Sequence, residues 1–412
     1  MEEYRRLKEE TRRYPIGLTV IDKKLHISVI GANNTCSLAL FWTDGQEPDL
    51  KIPMDPEERE GDVWNLTVEG RWPRKTMYCL EMDGVLKADP CGRQFTGWER
   101  WGDPENIEHI MKSPLYGEPF DWEGDKCPQT PMHETIIYRC HMRGMTCHRS
   151  SGVRNKGTFR ALAEKIPYIK ELGATAVELM PVNEFREIVV QESEWNPKGA
   201  RKPQPTGRLN YWGYTGGYYY GPKASYSSGQ KKRPVYEMKT LVKALHRQGM
   251  ELIIELYFSG NESPAMVLDI VRFWVKEYHV DGVHLVGYAP TELIGKDPYL
   301  RRTKLFSTSW SKTEGTKDKH LAEYNDGFLT DMRRVLKGDE DQIRPLIFRI
   351  GHNPRGFGVV NYMAHTNGFT MMDMVSFDRK HNETNKEDNR DGSDYNYSWN
   401  CGYEGISKKK KL

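Results

Sequence analysis

The sequence predicts a multidomain protein of the β plus α/β class, in which an N-terminal β-sandwich precedes a parallel sheet covered by helices. Residues 14–90 alternate short apolar runs with turn dipeptides, as the strands of a small sandwich do. From residue 134 onwards, strand-like apolar runs alternate with amphipathic helical segments. The length of 412 residues leaves room for at least two domains.

The β region follows a charged N-terminal extension, residues 1–13. Its alternating runs are LTVID, LHISVIG and CSLALFW, and its turns are marked by Asp44-Gly45, Glu69-Gly70 and Asp83-Gly84. Residues 91–133 are rich in Gly, Pro, Trp and Asp, which predicts a linker.

The α/β region, residues 134–405, is predicted to alternate strands and helices, which favours parallel strands. In chain order its segments are the strand TIIYRCHM, the helix GTFRALAEKIPYIKELG, the strand ATAVELMPV, the helix VYEMKTLVKALHRQG, the strand MELIIELYF, the helix SPAMVLDIVRFWVKEYH and the strand DGVHLVG. Gly173 and Gly249 end two of these helices. The basic tail, residues 406–412, is expected to be disordered.

Composition excludes several classes of function. The formal net charge of +2 gives no argument for binding nucleic acid or an anionic membrane. No apolar run reaches membrane-spanning length, and the start, MEEYRRLKEETRRYPIG, lacks an apolar signal region. We therefore expect a cytoplasmic protein. The seven cysteines include no CxxC pair, so we expect reduced thiols, no metal site and no cofactor.

Five stretches of the chain are distinctive: DWEGDKCPQTP (121–131), IIYRCHMRGMTCHRSSGV (136–153), GTFRALAEKIPYIKELGATAVELMPVNEF (157–185), NYWGY (210–214) and NGFTMMDMVSFDRKHNETNKEDNRDGSDYNYSWNCGYEG (367–405). Through them the chain resembles, over residues 14–405, the isoamylases and glycogen-debranching proteins of the α-amylase superfamily. It implies a glucan-associated β-sandwich, then a catalytic (β/α)8 TIM-type barrel, and normally a C-terminal β-domain. Since the sequence stops soon after residue 405, we expect an incomplete barrel and a truncated chain.

The resemblance places the family's chemistry at strand ends where this chain has other residues. The resemblance implies an aspartate followed by Asn-His at the end of the third barrel strand, but this chain reads ELYFSG from Glu255. At the fourth strand the resemblance implies Arg-x-Asp, in which the aspartate is the nucleophile. Here His284 stands in place of the arginine and Val286 in place of the aspartate. The long insertion that the family carries after the third strand is replaced by NESP (261–264). We therefore expect a shallower cleft.

The fifth and seventh strands depart in the same way. The family's Glu-Pro-Trp, whose glutamate is the general acid, best matches Thr308 and Trp310. Its His-Asp pair matches Thr366 and Asn367. Glycoside cleavage normally needs two carboxyl groups flanking the bond. Valine has no lone pair for attack, and the threonine hydroxyl is too weakly acidic to protonate a leaving oxygen.

Aromatic side chains are the candidates for stacking on glucose rings. They are Tyr211, Trp212, Tyr214 and Trp310, although packing explains such residues equally well. In the sandwich, Trp42, Trp64 and Trp72 fit the core better than a surface sugar site.

Three hypotheses follow. The first is a non-catalytic, degenerate protein that binds an α-glucan such as glycogen or starch, or pairs with an active isoamylase-like enzyme or a second copy of itself. The second is an active hydrolase of α-1,6 branch points, which requires different strand registers. The third is a decaying gene product without glucan affinity.

Overall fold

The computed structural model describes residues 4–10, 15–191, 204–229, 232–310, 320–385 and 387–407. Parts of the predicted N-terminal extension, residues 1–3 and 11–13, lie outside the described residues, as do residues 408–412 of the predicted tail. The chain divides into two units: residues 1–294 with 298–303, and residues 295–297 with 304–412.

The strands of the described residues are β1 (Arg5–Arg6), β2 (Gly17–Ile21), β3 (Lys24–Ile30), β4 (Cys36–Phe41), β5 (Leu50–Pro53), β6 (Val63–Glu69), β7 (Met77–Met82), β8 (Val85–Lys87), β9 (Ser113–Pro114), β10 (Ile137–Cys140), β11 (Ala176–Leu179), β12 (Asn183–Glu184), β13 (Ile188–Gln191), β14 (Gln204–Leu209), β15 (Tyr218–Pro222), β16 (Glu251–Phe258), β17 (Gly282–Gly287), β18 (Lys304–Ser307), β19 (Leu321–Tyr324) and β20 (Gly358–Val360). The α-helices are α1 (Met142–Thr146), α2 (Phe159–Glu171), α3 (Pro234–Arg247), α4 (Pro264–Tyr278), α5 (Thr291–Gly295), α6 (Asp326–Lys337) and α7 (Ile343–Gly351).

The N-terminal domain is a sandwich of two antiparallel sheets. One sheet has the order β1-β6-β3-β2, and the other has the order β5-β4-β7-β8 with β9 paired to β7. Their inner faces share one apolar core, which contains Ile27, Leu38, Trp64 and Leu80. Alternation of apolar and polar residues along each strand produces this arrangement, because successive side chains point to opposite faces.

The stretch that composition predicts as a linker, residues 91–133, packs against its neighbours. It supplies β9, and it buries Phe95, Trp98 and Met111 in a small cluster with Ala88. These apolar residues are spaced irregularly among glycines and charges. The packing therefore left no periodic signal in the sequence.

Four parallel strands of the first unit are neighbours in the order β10-β11-β16-β17, with α2, α3 and α4 in the connections between them. Helix α2 begins after Thr158, whose hydroxyl caps the amide of Ala161, and it ends before Gly173 at φ +84°. Strands β11, β16 and β17 are buried along most of their length, as parallel strands between helices usually are.

The second unit contains the parallel strands β18, β19 and β20, also neighbours in that order, with α6 and α7 after β19. Together, the units confirm the predicted class: an N-terminal β-domain followed by an incomplete barrel of β and α elements. Among the described helices, none combines the length and the apolar composition that crossing a bilayer requires.

Candidate functional site

A layer of charged side chains lies on the inner face of the first unit's parallel sheet. Arg139 on β10 is paired in register with Glu178 on β11, and Glu255 on β16 is paired with His284 on β17. Glu178 is paired with Ile253, two residues before Glu255. Since side chains alternate along a strand, all four charged or ionisable groups point to the same face. We call these four residues, together with Tyr214, the inner-layer cluster.

Short contacts close the inner-layer cluster. The Nε atom of Arg139 lies 2.5 Å from Oε1 of Glu255 and 3.3 Å from Oε1 of Glu178. The Tyr214 hydroxyl accepts from Nη2 of Arg139 at 2.7 Å and donates to Oε2 of Glu255 at 2.7 Å. On the other side, Nδ1 of His284 lies 2.8 Å from Oε1 of Glu178. Both carboxylates are thus held by cationic or hydroxyl partners.

Burial controls the electrostatics of this cluster. Glu178 and Glu255 are both fully buried, 0% exposed. Burial, and then the neighbouring Glu178 charge, raises the pKa of Glu255, although Arg139 opposes the shift. Burial also raises the pKa of the Tyr214 hydroxyl, so it stays a hydrogen-bond donor at neutral pH. Two carboxylates without access to solvent cannot contact a polysaccharide, and their role in this arrangement is to hold the strands together.

The position predicted for the nucleophile lies two residues beyond His284, toward the C-terminal end of β17. Val286 occupies the C-terminal end of β17, on the same face as His284, and it is paired with Tyr257 of β16. This is the end of the strand at which such barrels carry their chemistry. The side chain there is half-buried and aliphatic.

In the second unit, the two fifth-strand positions differ in exposure. Thr308 lies directly after β18 and is exposed. Trp310 is 1% exposed, and its indole N–H donates to the carbonyl of Ala322 at 2.9 Å. A buried ring has no free face for a sugar, so the geometry of Trp310 favours packing.

The seventh-strand positions are not at a strand end. The segment 361–370 reads like one in sequence, but β20 ends at Val360, and Thr366 and Asn367 lie in exposed turns beyond it. The Oδ1 atom of Asn367 is 2.7 Å from Nδ1 of His365. The polar run after β20 makes these local turn contacts, and the strand ends earlier than the family resemblance implies.

Two of the aromatic candidates join a group that sequence reasoning did not assemble. The His141 ring lies 4.3 Å from the ring of Tyr211 and 5.5 Å from that of Trp212. Trp101 packs on the same group, stacked at 5.7 Å on Tyr226. We call these five residues the aromatic cluster. Trp212 is 41% exposed, so part of its ring is open to solvent.

A further carboxylate lies just after β16, in the short segment that replaces the family's long insertion. Glu262 is half-buried and accepts from the Tyr219 hydroxyl at 2.6 Å, the Ser259 hydroxyl at 3.0 Å and the Gly260 amide at 3.1 Å. Burial alone would raise its pKa, but these donors outweigh burial and lower it. Glu262 is therefore ionised at neutral pH and is not suited to act as a general acid.

Several of these residues were missed by sequence reasoning, although a signal existed for two. Arg139 and Glu178 are charged residues inside the apolar strand runs IIYRC and AVEL. A charge within an apolar strand run requires a partner where it is buried, and that requirement predicts an ion pair. Nothing in the local sequence marks His141, Trp101 or Glu262.

The chain was compared with known proteins, and no family model matches it. Isoamylase 1, a chloroplastic protein of rice (Oryza sativa subsp. japonica), is 27% identical over 514 residues, across 95% of this chain and 62% of the rice protein. The glycogen debranching enzyme of Serratia proteamaculans is 29% identical, across 95% of this chain and 72% of that enzyme. The chain is a homologue of the isoamylases and glycogen-debranching proteins.

Solved structures agree on the fold of this isoamylase homologue. The apo pullulanase of Paenibacillus barengoltzii matches with a TM-score of 0.65 at 18% identity, over 88% of this chain and 67% of the pullulanase. The chain thus spans about two thirds of the length of the proteins that it matches. Because the rice alignment of 514 positions exceeds the 412 residues here, the matched part of rice isoamylase 1 contains more than 100 residues without a counterpart.

His141 of this isoamylase homologue gives the protein a predictable response to acid. Burial, and then the Arg143 charge, lowers the pKa of His141 to about 4, so the ring is neutral in the folded state. Unfolding restores an ordinary pKa of about 6.5, so the unfolded chain binds more protons between these values. We therefore expect the free energy of unfolding to be highest above pH 6.5. It should decrease by up to about 3 kcal/mol as the pH falls toward 4.

Urea unfolding at pH 7 and pH 5 measures this dependence on pH. The variant His141→Gln, which has no ionisable ring, is expected to lose less stability between the two pH values than the unsubstituted protein does. The variant His148→Gln, at an exposed histidine of the same segment, is the control and should keep the full acid dependence. An unchanged pH dependence in His141→Gln would show that other groups cause it.

Proposed function

We propose that this protein is a non-catalytic member of the debranching group that binds an α-glucan of the glycogen or starch type. The observation that carries the proposal is Val286, an aliphatic residue at the C-terminal end of β17. A glycosidase of this kind needs a carboxylate there to attack or stabilise the sugar ring. The chain holds none at that position, so the expected step of cleavage has no nucleophile.

Nearby carboxylates do not replace it. Glu178 and Glu255 are fully buried and bound to Arg139, and moving either would leave uncompensated charge in the interior. Glu262 is bound by three donors, which lower its nucleophilicity and leave it ionised. Thr308, the residue at the presumed acid position, is exposed but not acidic at neutral pH.

Support for glucan binding comes from the aromatic cluster. Part of the Trp212 ring is exposed, and the rings of Tyr211 and His141 make edge-to-face contacts with it. A rigid exposed aromatic ring offers the apolar surface on which the C–H faces of glucose pack. The related pullulanase structures include complexes with maltotetraose, which those proteins bind.

Affinity electrophoresis in native gels containing glycogen, with parallel gels lacking it, tests the proposal. We expect the protein to be retarded without clearing of iodine staining around the band. The variant Trp212→Ala should bind about tenfold more weakly, a loss of about 1.4 kcal/mol. Trp399→Ala removes a tryptophan elsewhere that is 54% exposed, against 41% for Trp212, and serves as the control.

The remaining outcomes separate the alternatives. Loss of retardation in Trp42→Ala, and not in Trp212→Ala, would move the sugar site to the sandwich domain, where Trp42 is partly exposed. Absence of retardation in the unsubstituted protein would contradict glucan binding. A protein partner would then be the better proposal, and α7 offers exposed Ile343, Ile347 and Phe348 for one.

A second candidate function is active debranching, favoured by the names of the homologues. It would require a carboxylate outside the expected strand ends, and Glu262 is a half-buried carboxylate in the short segment between β16 and α4. Release of reducing ends from amylopectin would support this function.

We also propose a cytoplasmic location for the protein, as part of the main proposal.

A further inference from the structure

A mixed cluster of metal-ligating side chains lies at the opposite end of the parallel strands from Val286. Cys127 comes from the segment before β10, His246 from the last turn of α3, and Asp281 from the residue just before β17. Their ligand atoms all lie within 4.8 Å of one another. The Leu252 amide donates to Oδ2 of Asp281 at 2.8 Å, which places the cluster at the start of β16. We call Cys127, His246 and Asp281 the basal triad.

One atom of the basal triad has no partner. Asp281 is 6% exposed, and its Oδ1 atom is buried and accepts no hydrogen bond. A buried carboxylate oxygen without a donor is costly, because the desolvation of a charged group is then uncompensated. The atom is thus an open ligand position in a cluster that already contains a thiol and an imidazole.

The surroundings of His246 have the form that metal-bound histidines usually show. Its Nδ1 atom lies 2.8 Å from Oδ2 of Asp125, and its Nε2 atom lies 2.9 Å from Oδ2 of Asp281. A carboxylate on the far nitrogen fixes the tautomer and leaves the other nitrogen for the metal. Asp125 also accepts from His279, whose ring is stacked at 3.8 Å on Trp122, so the supporting carboxylate is itself held in place.

We propose that the basal triad is a binding site for a zinc-type divalent cation, with Cys127 Sγ, His246 Nε2 and Asp281 as ligands. The donor set of one sulfur, one nitrogen and one oxygen suits Zn²⁺ or Co²⁺ and is poorly suited to Mg²⁺ or Ca²⁺. Water would take the fourth position, since Cys127 is exposed to solvent. Bonds of about 2.0–2.3 Å from the cation to its ligands would draw the Cys127 Sγ atom toward His246 and Asp281 by about 1 Å.

Binding of the cation requires a thiolate and an unprotonated Nε2 atom as ligands. The Cys127 thiol proton, and any proton on Nε2 of His246, would pass to solvent. The cation would tie residues 121–131 to the start of β16 and β17, a face of such barrels that serves stability.

Titration of the chelator-treated, full-length protein with Co²⁺ alone tests this site. We expect one equivalent to bind, with the near-ultraviolet charge-transfer absorption of a cobalt–thiolate bond. Zn²⁺ should displace it and raise the melting temperature by on the order of 5 °C. The variant Cys127→Ser should lose the charge-transfer band. The Cys127 thiol makes a weak contact with the carbonyl of His279, at 3.8 Å, and lies beside the Asp281 carboxylate. A serine hydroxyl can take both places, so this variant should fold.

The control is Cys401→Ser, which removes the other exposed thiol of the described residues and should keep the band. A cobalt band that survives in Cys127→Ser would overturn the assignment. Binding of no Co²⁺ at micromolar concentrations would overturn it as well. None of these readouts depends on glucan, so failure of this site and failure of the proposed function are distinguishable.

Discussion

Replacement of Arg139 by methionine is expected to lower the free energy of unfolding by about 3–5 kcal/mol. The guanidinium stands between Glu178 and Glu255, both 0% exposed, with its Nε atom 3.3 Å and 2.5 Å from their carboxylate oxygens. Methionine fills much of the same volume without charge. The variant therefore leaves two carboxylates buried near each other without the guanidinium, while His284 and Tyr214 keep their contacts with them.

Urea unfolding at pH 7 measures this loss. The deficit should shrink as the pH falls, because burial and Glu178 already raise the pKa of Glu255 and the missing cation would raise it further. Protonation of that carboxyl removes the uncompensated charge. The control is Arg5→Met, which removes an exposed ion pair with Glu69 and should change stability by less than about 0.5 kcal/mol. A loss below about 1 kcal/mol in Arg139→Met would mean that the inner-layer cluster does not hold the strands together.

The second large effect concerns catalysis. We expect release of reducing ends from amylopectin to be at least on the order of 10⁴-fold slower than with an active debranching enzyme. Val286 provides no nucleophile and Thr308 no general acid, and the two effects leave only substrate positioning. The double variant Val286→Asp with Thr308→Glu should not restore hydrolysis, because we expect the short connection between β16 and α4 to leave the cleft shallower than in the family.

A reducing-sugar assay at neutral pH, with an active isoamylase in parallel, gives the result. Substantial hydrolysis by the double variant would show that the two carboxylates suffice and that the depth of the cleft is unimportant. Activity of the unsubstituted protein within a hundredfold of the active enzyme would contradict the non-catalytic proposal. In that case Glu262→Gln identifies the source, since it removes the half-exposed carboxylate after β16 without changing the size of the side chain.

Much of the fold was predictable because it depends on local, periodic patterns. Alternating runs in residues 14–90 predict strands with one buried face, and those strands form the two sheets of the sandwich. Thr158 and Gly173 mark the ends of α2 by capping chemistry that needs no tertiary contact. The order of β10, β11, β16 and β17 follows from alternation with helices.

Sequence alone also led to the prediction that the expected reactive strand ends lack catalytic carboxyl groups. The identity of Val286 is a fact of the chain, and the structure adds its location at the end of β17. The same reasoning misplaced Thr366 and Asn367, which it took for a strand end. A match to a family motif cannot show where local turn contacts interrupt pairing, and β20 ends at Val360.

Only the tertiary structure decided which side chains meet. Arg139, Glu178 and Glu255 are separated by 39 to 116 residues, and parallel pairing places them on one face. Cys127, His246 and Asp281 likewise converge from three elements without any CxxC spacing. Periodicity reports which face of an element is buried, because burial repeats along the chain. It carries no record of distant partners, since register and sheet order bring these together.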